Sequence, residues 1–199
     1  MSLELVNTLA TFGTFLVIAG TAIAAIVQLR HARSSDQIEA LAELREGTEN
    51  PEMRLAERFV LHELSEKLKD PDFRYQIANQ GAMTSETQLQ WSDIRRVANF
   101  FENRGALVKG ALVDKRFVLD IFSSRVLSNW GRLTPVIAII RQSRGDSSIW
   151  ENFEYLAVLS QDWEAAHPNG TYPAGVRRID FRYPWLDADK QYAASLTPA

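Results

Sequence analysis

The chain has 199 residues, of which 46% are hydrophobic and 24% are charged, a composition typical of one globular domain with an appendage. It contains no cysteine, which excludes a disulfide framework, a thiolate metal site and a cysteine nucleophile. The formal net charge of -3 provides no overall basic field that would attract DNA or RNA.

The N-terminal region contains a long uncharged run. Residues 5–29 carry no charged side chain, and a helix needs roughly 20 apolar residues to cross a bilayer, so the run predicts a transmembrane helix. Residues 1–4 would form a short outside tail, because Arg30 and Arg33 follow the run whereas only Glu4 precedes it. A cleaved signal peptide is disfavoured because no basic residue precedes the run. A buried core helix of a soluble protein is disfavoured because such a helix would normally have one polar face, which this run lacks.

Small and polar residues recur at helical spacing within this run. Gly13, Gly20 and Ala24 would let two helices approach closely, with Thr14 and Thr21 beside them. These five residues form a predicted helix–helix interface in a homo-oligomer. The alternative left open is that each threonine bonds a carbonyl of its own helix.

The middle of the chain shows helical periodicity. Residues 30–47 predict a juxtamembrane stalk helix that continues the membrane helix, since Pro and Gly are absent before Gly47. Residues 51–166 predict a cytoplasmic bundle of about five helices, because apolar residues recur at steps of three and four behind capping signals. The expected helix starts are Asn50-Pro51, Ser85, Asp114 and Ser148.

Two neighbouring helices are expected between residues 114 and 141. The first is predicted to be almost wholly buried, including Phe117 and Ile121, and the second to be kinked at Pro135. Six large apolar residues are predicted to share the core of the bundle: Trp91, Phe101, Trp130, Ile137, Phe153 and Leu156.

Residues 167–199 have a different pattern. Ile179, Phe181 and Tyr183 alternate with charged residues, which is typical of a short extended strand. With Trp185 nearby, the segment is too aromatic for a plain disordered tail. We therefore predict an extended aromatic tail that docks on the bundle or on a partner through Phe181, Tyr183 and Trp185.

No catalytic or metal-binding motif is present in the sequence. His31, His62 and His167 lie in three separate segments, and no HExxH, GxSxG, P-loop or GxGxxG pattern occurs. The sequence therefore predicts no catalytic residue, no metal and no cofactor, with an enzyme of unfamiliar type as a minor alternative. Asn99 and Glu102 flank two phenylalanines and are interpreted as solvated polar residues on an outer helix face.

Two arginine pairs stand near aromatic residues, an arrangement that can stack on single-stranded nucleic acid. They are Arg95-Arg96 and Arg177-Arg178. Around the second pair, between residues 177 and 190, four basic residues face three acidic ones, so the favourable release of counterions would be small. Ion pairing within the protein is the preferred interpretation, and no nucleic-acid partner is expected.

One segment carries a family resemblance. It reads Trp91-Ser92-Asp93-Ile94-Arg95-Arg96-Val97-Ala98-Asn99-Phe100-Phe101-Glu102, followed by Leu107-Val108-Lys109-Gly110, Val113-Asp114, Phe122, Trp130 and Leu133-Thr134-Pro135. With these motifs the chain resembles, over about residues 1 to 165, a family of small bacterial proteins of unknown function. Members are similar in placing one N-terminal membrane helix ahead of a helical domain. The resemblance implies this architecture and a bacterial origin, and no activity.

Taken together, these features predict a membrane-anchored interaction or assembly module, an accessory subunit or scaffold at the inner face of a bacterial membrane. Its expected partners are the lipid bilayer, further copies of the chain and a membrane protein. The alternative is a homo-oligomeric membrane effector or channel-like protein whose anchor helices gate or permeabilise the bilayer. The two alternatives differ in whether the N-terminal helix is only a tether.

Overall fold

A computed structural model describes residues 12–15, 17–25, 28 and 50–196. All regular elements in these residues are helical, which confirms the all-α prediction. The chain divides into two compact units at Pro168. We refer to residues 50–168 as the body and to residues 169–196 as the tail.

The body is a bundle of helices joined by short loops. Its helices are α1 (Pro51–His62), the single turn α2 (Leu64–Lys67), α3 (Pro71–Ala78), α4 (Ser85–Lys109), α5 (Lys115–Arg144) and α6 (Glu151–Ala166), with a 3₁₀ turn at Gln80–Ala82. The last helix, α6, packs against both α4 and α5, and α1 packs on the same two helices. The two longest helices therefore form the centre of the bundle.

Side-chain caps start most of these helices. Asn50 caps α1, with Pro51 at the first helical position, and Asp114 caps α5 through the backbone N–H of Arg116. Both starts confirm the prediction. The cap of α4 is Thr84, one residue before the expected Ser85, because the Thr84 hydroxyl accepts the backbone N–H of Thr87.

The two helices expected between residues 114 and 141 form one continuous helix, α5, of 30 residues. No helix-breaking residue separates the two predicted halves, and Pro135 lies inside the helix without ending it. Phe117 and Ile121 are exposed, contrary to the prediction, because they lie one turn apart on the outer side of α5. Their neighbours Val118 and Phe122 face the core instead.

The predicted core is largely confirmed. Phe101 and Phe153 are fully buried and their rings stack at 4.9 Å between centroids. Trp91, Ile137 and Leu156 are buried as well. Trp130 is only partly buried, yet its ring meets the edge of Phe153 at 5.0 Å.

The predicted transmembrane helix over residues 5–29 is wrong for the part of the chain that the structure describes. Across residues 12–15, 17–25, 28 and 50–196, no helix combines the length and the apolar character needed to cross a membrane. The prediction relied on the absence of charge and on the Leu, Ile, Val and Phe side chains of the run, which are local properties and do not by themselves give a helix of the required length. The expected stalk at 30–47 lies outside the described residues.

The prediction of a wholly extended tail is also wrong. Residues 176–183 are neither helical nor paired in a strand, and α7 (Leu186–Leu196) follows them. A strand requires a neighbouring strand for its backbone hydrogen bonds, and the alternating side chains alone do not supply one. Asp187 and Asp189 in the first turn of α7 interact favourably with the positive end of the helix dipole.

Candidate functional site

The segment that carries the family resemblance joins α4 to the start of α6. Asn99 Oδ1 accepts a hydrogen bond from Trp150 Nε1 at 2.9 Å. The Glu102 carboxylate accepts the side-chain amide of Asn152 at 2.8 Å and the backbone N–H of Phe153 at 2.9 Å. Asn99 is exposed and Glu102 partly exposed, as the interpretation of solvated residues expects. What that interpretation missed is that both bind groups about 50 residues further along the chain, which local spacing does not reveal.

This contact also explains how α6 begins. The expected cap at Ser148 is not formed, and the cap position is held by Trp150, which makes no side-chain cap hydrogen bond and has a left-handed φ of 56°. Glu102 performs the capping role from another helix, since a carboxylate near a helix N-terminus satisfies free N–H groups and the helix dipole. Arg141 holds the same turn from α5 by donating to the Ile149 carbonyl at 2.9 Å.

Close packing at this contact depends on Gly105. A Cβ atom at Gly105 would lie 2.5 Å from the carbonyl carbon of Asn152, which is too near for any other residue. The backbones of α4 and α6 thus approach each other at a glycine. The residue types of the family segment are explained here by assembly of the bundle.

A second polar group ties α1 to α5. Glu57 accepts hydrogen bonds from Arg125 Nε at 2.7 Å and from Asn129 Nδ2 at 2.8 Å, and Asn129 is completely buried. The side chains of Glu57 and Arg125 are only 12% and 24% exposed. A charged pair this well covered is costly to disrupt, so it contributes to the register of the two helices.

A groove runs along the outer side of α4. It has a volume of about 350 Å³ and is lined by Gln88, Trp91, Ser92, Arg95, Arg96 and Asn99. None of the described residues that line it carries a carboxylate. Arg96 pairs with Glu52 of α1 at 2.7 Å, whereas Arg95 is exposed and has no ionic or hydrogen-bond partner among the described residues. The groove therefore has a net positive character.

Asp93 lies on α4 beside the groove without lining it. Partial burial raises the pKa of this carboxyl, and the nearby Glu63 acts in the same direction, against the lowering influence of Arg96. Within the segment 91–102, Asp93 is the residue whose pKa is shifted. The shift comes from helix packing, and Asp93 has no catalytic partner among the described residues.

The predicted docking residues of the tail are all exposed. Phe181 is 91% exposed, Tyr183 55% and Trp185 65%. The rings of Tyr183 and Trp185 lie 6.4 Å apart, and the Tyr183 hydroxyl donates to Asp189, which raises the pKa of Tyr183. The tail thus has local contacts of its own, and its docking stays a prediction.

The five residues of the predicted helix–helix interface are helical and exposed: Gly13, Thr14, Gly20, Thr21 and Ala24. Among the described residues, none outside the local helix has a heavy atom within 4 Å of a Cβ placed at Gly13 or Gly20. The Thr21 hydroxyl donates to the carbonyls of Val17 and Ile18 in its own helix, as the alternative interpretation proposed. Self-association through these residues stays a prediction.

The histidines do not come together. His62 is exposed on α1, and His31 lies outside the described residues. The His167 ring lies tilted against Trp163, with 4.1 Å between ring centroids. Within the part of the chain that the structure describes, no cluster of three or more His, Cys, Asp or Glu side chains is arranged to hold a metal ion.

Comparison with known proteins gives one family. Residues 15–163, about three quarters of the chain, match the model described as "Domain of unknown function (DUF4760)". No curated protein and no solved structure matches the chain. The match agrees with the resemblance to an uncharacterised family. It does not support the membrane helix or the sequence motif that the resemblance implied. The chain therefore belongs to the DUF4760 family, a domain of unknown function.

Proposed function

We propose that this protein is an interaction or assembly module, an accessory subunit or scaffold, whose tail binds a partner protein. One observation carries this proposal: every residue from 168 to 196 is exposed, although the segment is rich in large apolar side chains. Those side chains are Tyr172, Val176, Ile179, Phe181, Tyr183, Trp185, Leu186, Tyr192 and Leu196.

Exposed aromatic side chains of this kind favour binding. Burying apolar surface is worth about 25 cal/mol per Å², and tyrosine and tryptophan combine a large apolar body with a polar group. Single exposed hydrophobic residues are ordinary, but a continuous aromatic segment without a core of its own is typical of interaction sites. A partner would supply the core that the tail lacks.

The chemistry of the tail favours a protein partner. Its basic residues are nearly balanced by Asp180, Asp187 and Asp189, so phosphate contacts would add little affinity for nucleic acid. A second copy of the chain is one such partner and another protein is the other. The alternative of a membrane effector or channel-like protein stays a prediction that none of these observations tests.

The test compares two triple variants of the full chain. Phe181→Ala, Tyr183→Ala and Trp185→Ala together remove the aromatic centre of the tail. Leu55→Ala, Tyr75→Ala and Tyr155→Ala remove side chains that are also exposed, but on the body. Affinity purification of wild type and both variants, followed by quantitative mass spectrometry and mass photometry, reports partners and copy number. A synthetic peptide of residues 169–196 then tests direct binding to any purified partner.

We expect the tail variant to lose a partner, or the homo-oligomer, that the body variant retains, and the synthetic tail to bind that partner directly. A chain that is monomeric and keeps the same associated proteins in all three forms would overturn the proposal.

A further inference from the structure

The groove on α4 has the chemistry of a binding site that the proposed function does not use. All six lining residues come from one helix, between Gln88 and Asn99. These residues cover about 16 Å along the axis at 1.5 Å per residue. An extended peptide of about five residues has the same length, at 3.3 Å per residue.

The groove offers hydrogen-bond donors and positive charge. Arg95 presents a guanidinium that has no partner among the described residues, and a guanidinium can bind a carboxylate or phosphate with two parallel hydrogen bonds. Arg96 adds a second guanidinium, shared with Glu52. Because none of the described lining residues carries a carboxylate, a ligand of negative charge is the electrostatic complement of the groove.

Asn99 is oriented for the same task by the fold. Its Oδ1 is occupied by the Trp150 indole N–H at 2.9 Å, which leaves the two amide protons of Nδ2 as the groups available to a ligand. Trp150 in turn packs against Trp91 with 6.1 Å between ring centroids. The contact that assembles α4 and α6 therefore holds an amide donor at the edge of the groove.

An apolar rim accompanies these polar groups. Leu89 is 72% exposed and lies three residues before Ser92, so the two are neighbours on the helix surface. Trp91 forms part of the groove lining itself. A free inorganic ion would leave this apolar surface unused, whereas a peptide with alternating acidic and apolar side chains would cover it.

We infer that the α4 groove binds an acidic, partly apolar peptide segment of a partner protein, with a side-chain oxyanion on Arg95 and the Asn99 amide. The oxyanion is the carboxylate of glutamate or aspartate, or the phosphate of a phosphorylated serine. This binding does not depend on the aromatic tail, so the two proposals can fail separately.

The test is a fluorescence anisotropy titration of the full chain with labelled peptides. One peptide alternates glutamate with leucine, a second has glutamine in place of glutamate, and a third has phosphoserine there. Arg95→Gln removes the unpaired guanidinium. Arg116→Gln is the matched control, because Arg116 is an exposed arginine at the start of α5, past the far end of α4.

We expect the acidic peptide to bind with a salt-sensitive affinity and the Arg95→Gln chain to bind it about tenfold more weakly or worse, because a charged hydrogen bond is lost. The Arg116→Gln chain and the triple tail variant should bind as the wild type does. Tighter binding of the phosphoserine peptide, lost in Arg95→Gln, would support the proposal and assign the oxyanion to phosphate.

Three results would overturn the inference. One is equal binding by the Arg95→Gln and Arg116→Gln chains, with both variants melting as the wild type. Another is equal binding of the glutamate and glutamine peptides. The third is displacement of the labelled peptide by free phosphate or by a single-stranded oligonucleotide at concentrations at which the unlabelled acidic peptide does not displace it. That result would show that the groove binds an isolated ion or a nucleic acid.

Discussion

The body and the tail use aromatic side chains in opposite ways. In the body, Phe101, Phe153 and Trp130 form one cluster with ring centroids about 5 Å apart. In the tail, Phe181 and Trp185 are exposed, and the aromatic contacts there are local ones. The same residue type therefore stabilises one unit and is available for binding in the other.

The difference arises from periodicity and not from composition. The aromatic residues of the body recur at helical steps, so that one face of each helix is apolar and can be buried against another. Those of the tail alternate over too short a stretch to form a second layer, and nothing in residues 169–196 is buried. Aromatic content alone does not indicate whether a segment belongs to a core.

The same phenylalanine-to-alanine substitution in the body and in the tail should have very different effects on stability. Phe101→Ala should cost about 3 to 5 kcal/mol of unfolding free energy, because it removes a fully buried ring that stacks on Phe153. Phe181→Ala should leave the stability of the body unchanged. Chemical denaturation of both variants measures the difference, and similar losses would show that the tail contributes to the same core.

Charged pairs should follow the same division between buried and exposed positions. Glu57→Gln should cost about 2 to 4 kcal/mol, since it leaves Arg125 and Asn129 of the covered network with a weaker acceptor. Glu86→Gln, which disrupts the exposed pair with Lys67, should barely change the melting temperature. Thermal melts of both variants test this, and equal shifts would contradict the structural role of the Glu57 network.

Adding one methyl group tests how closely the body is packed. Gly105→Ala should cost about 1 to 3 kcal/mol or more, because the new Cβ overlaps the backbone of Asn152. Gly131→Ala is the control within helix α5, where no heavy atom lies within 4 Å, and it should stabilise the helix by about 0.5 to 1 kcal/mol. We expect the denaturant midpoint to fall for Gly105→Ala and to rise for Gly131→Ala. If Gly105→Ala left the midpoint unchanged, α4 and α6 would have to lie further apart than in this structure.

The smallest effect concerns Asp93. Because its pKa in the folded state is raised above the ordinary 3.8, its charged form opposes folding at neutral pH, and this opposition disappears below 3.8, where the carboxyl is protonated in both states. Asp93→Asn should therefore raise the melting temperature slightly at about pH 7 and leave it unchanged at about pH 3.

Asp146→Asn is the control for this experiment. Hydrogen bonds from Ser148 lower the pKa of Asp146, so its charged form supports folding at neutral pH and that support is lost as the pH falls. The substitution should lower the melting temperature at about pH 7. Melting curves over a pH series distinguish the two carboxylates, and shifts of the same sign would contradict the assigned environments.

Much of the helical framework could be predicted from the sequence. The caps at Asn50 and Asp114 are local hydrogen bonds between neighbouring residues, and the core positions of Phe101, Phe153 and Leu156 follow from spacing along single helices. The transmembrane helix was predicted from equally local properties, an uncharged run rich in Leu, Ile, Val and Phe, but no helix among the described residues is long and apolar enough to cross a membrane.

The candidate sites depended on contacts between distant segments. Asn99 and Glu102 look like ordinary solvated residues of α4 until Trp150 and Phe153 are placed beside them. The groove likewise needs α1 and α6, because Glu52 occupies one arginine and Trp150 orients the amide of Asn99. No spacing rule within α4 contains this information.

By itself, the sequence determined the all-helical class, the helix starts at local caps and the faces that form the core, because each depends on residues within a few turns of one another. The tertiary structure decided the rest. It placed the Glu102 carboxylate at the start of α6 and joined two predicted helices into α5. It also paired Arg96 with Glu52, whereas Arg95 has no partner among the residues that the structure describes. Hydrogen bonds and charges act over a few ångströms in space, so residues far apart in the chain decide which polar groups are used and which remain available.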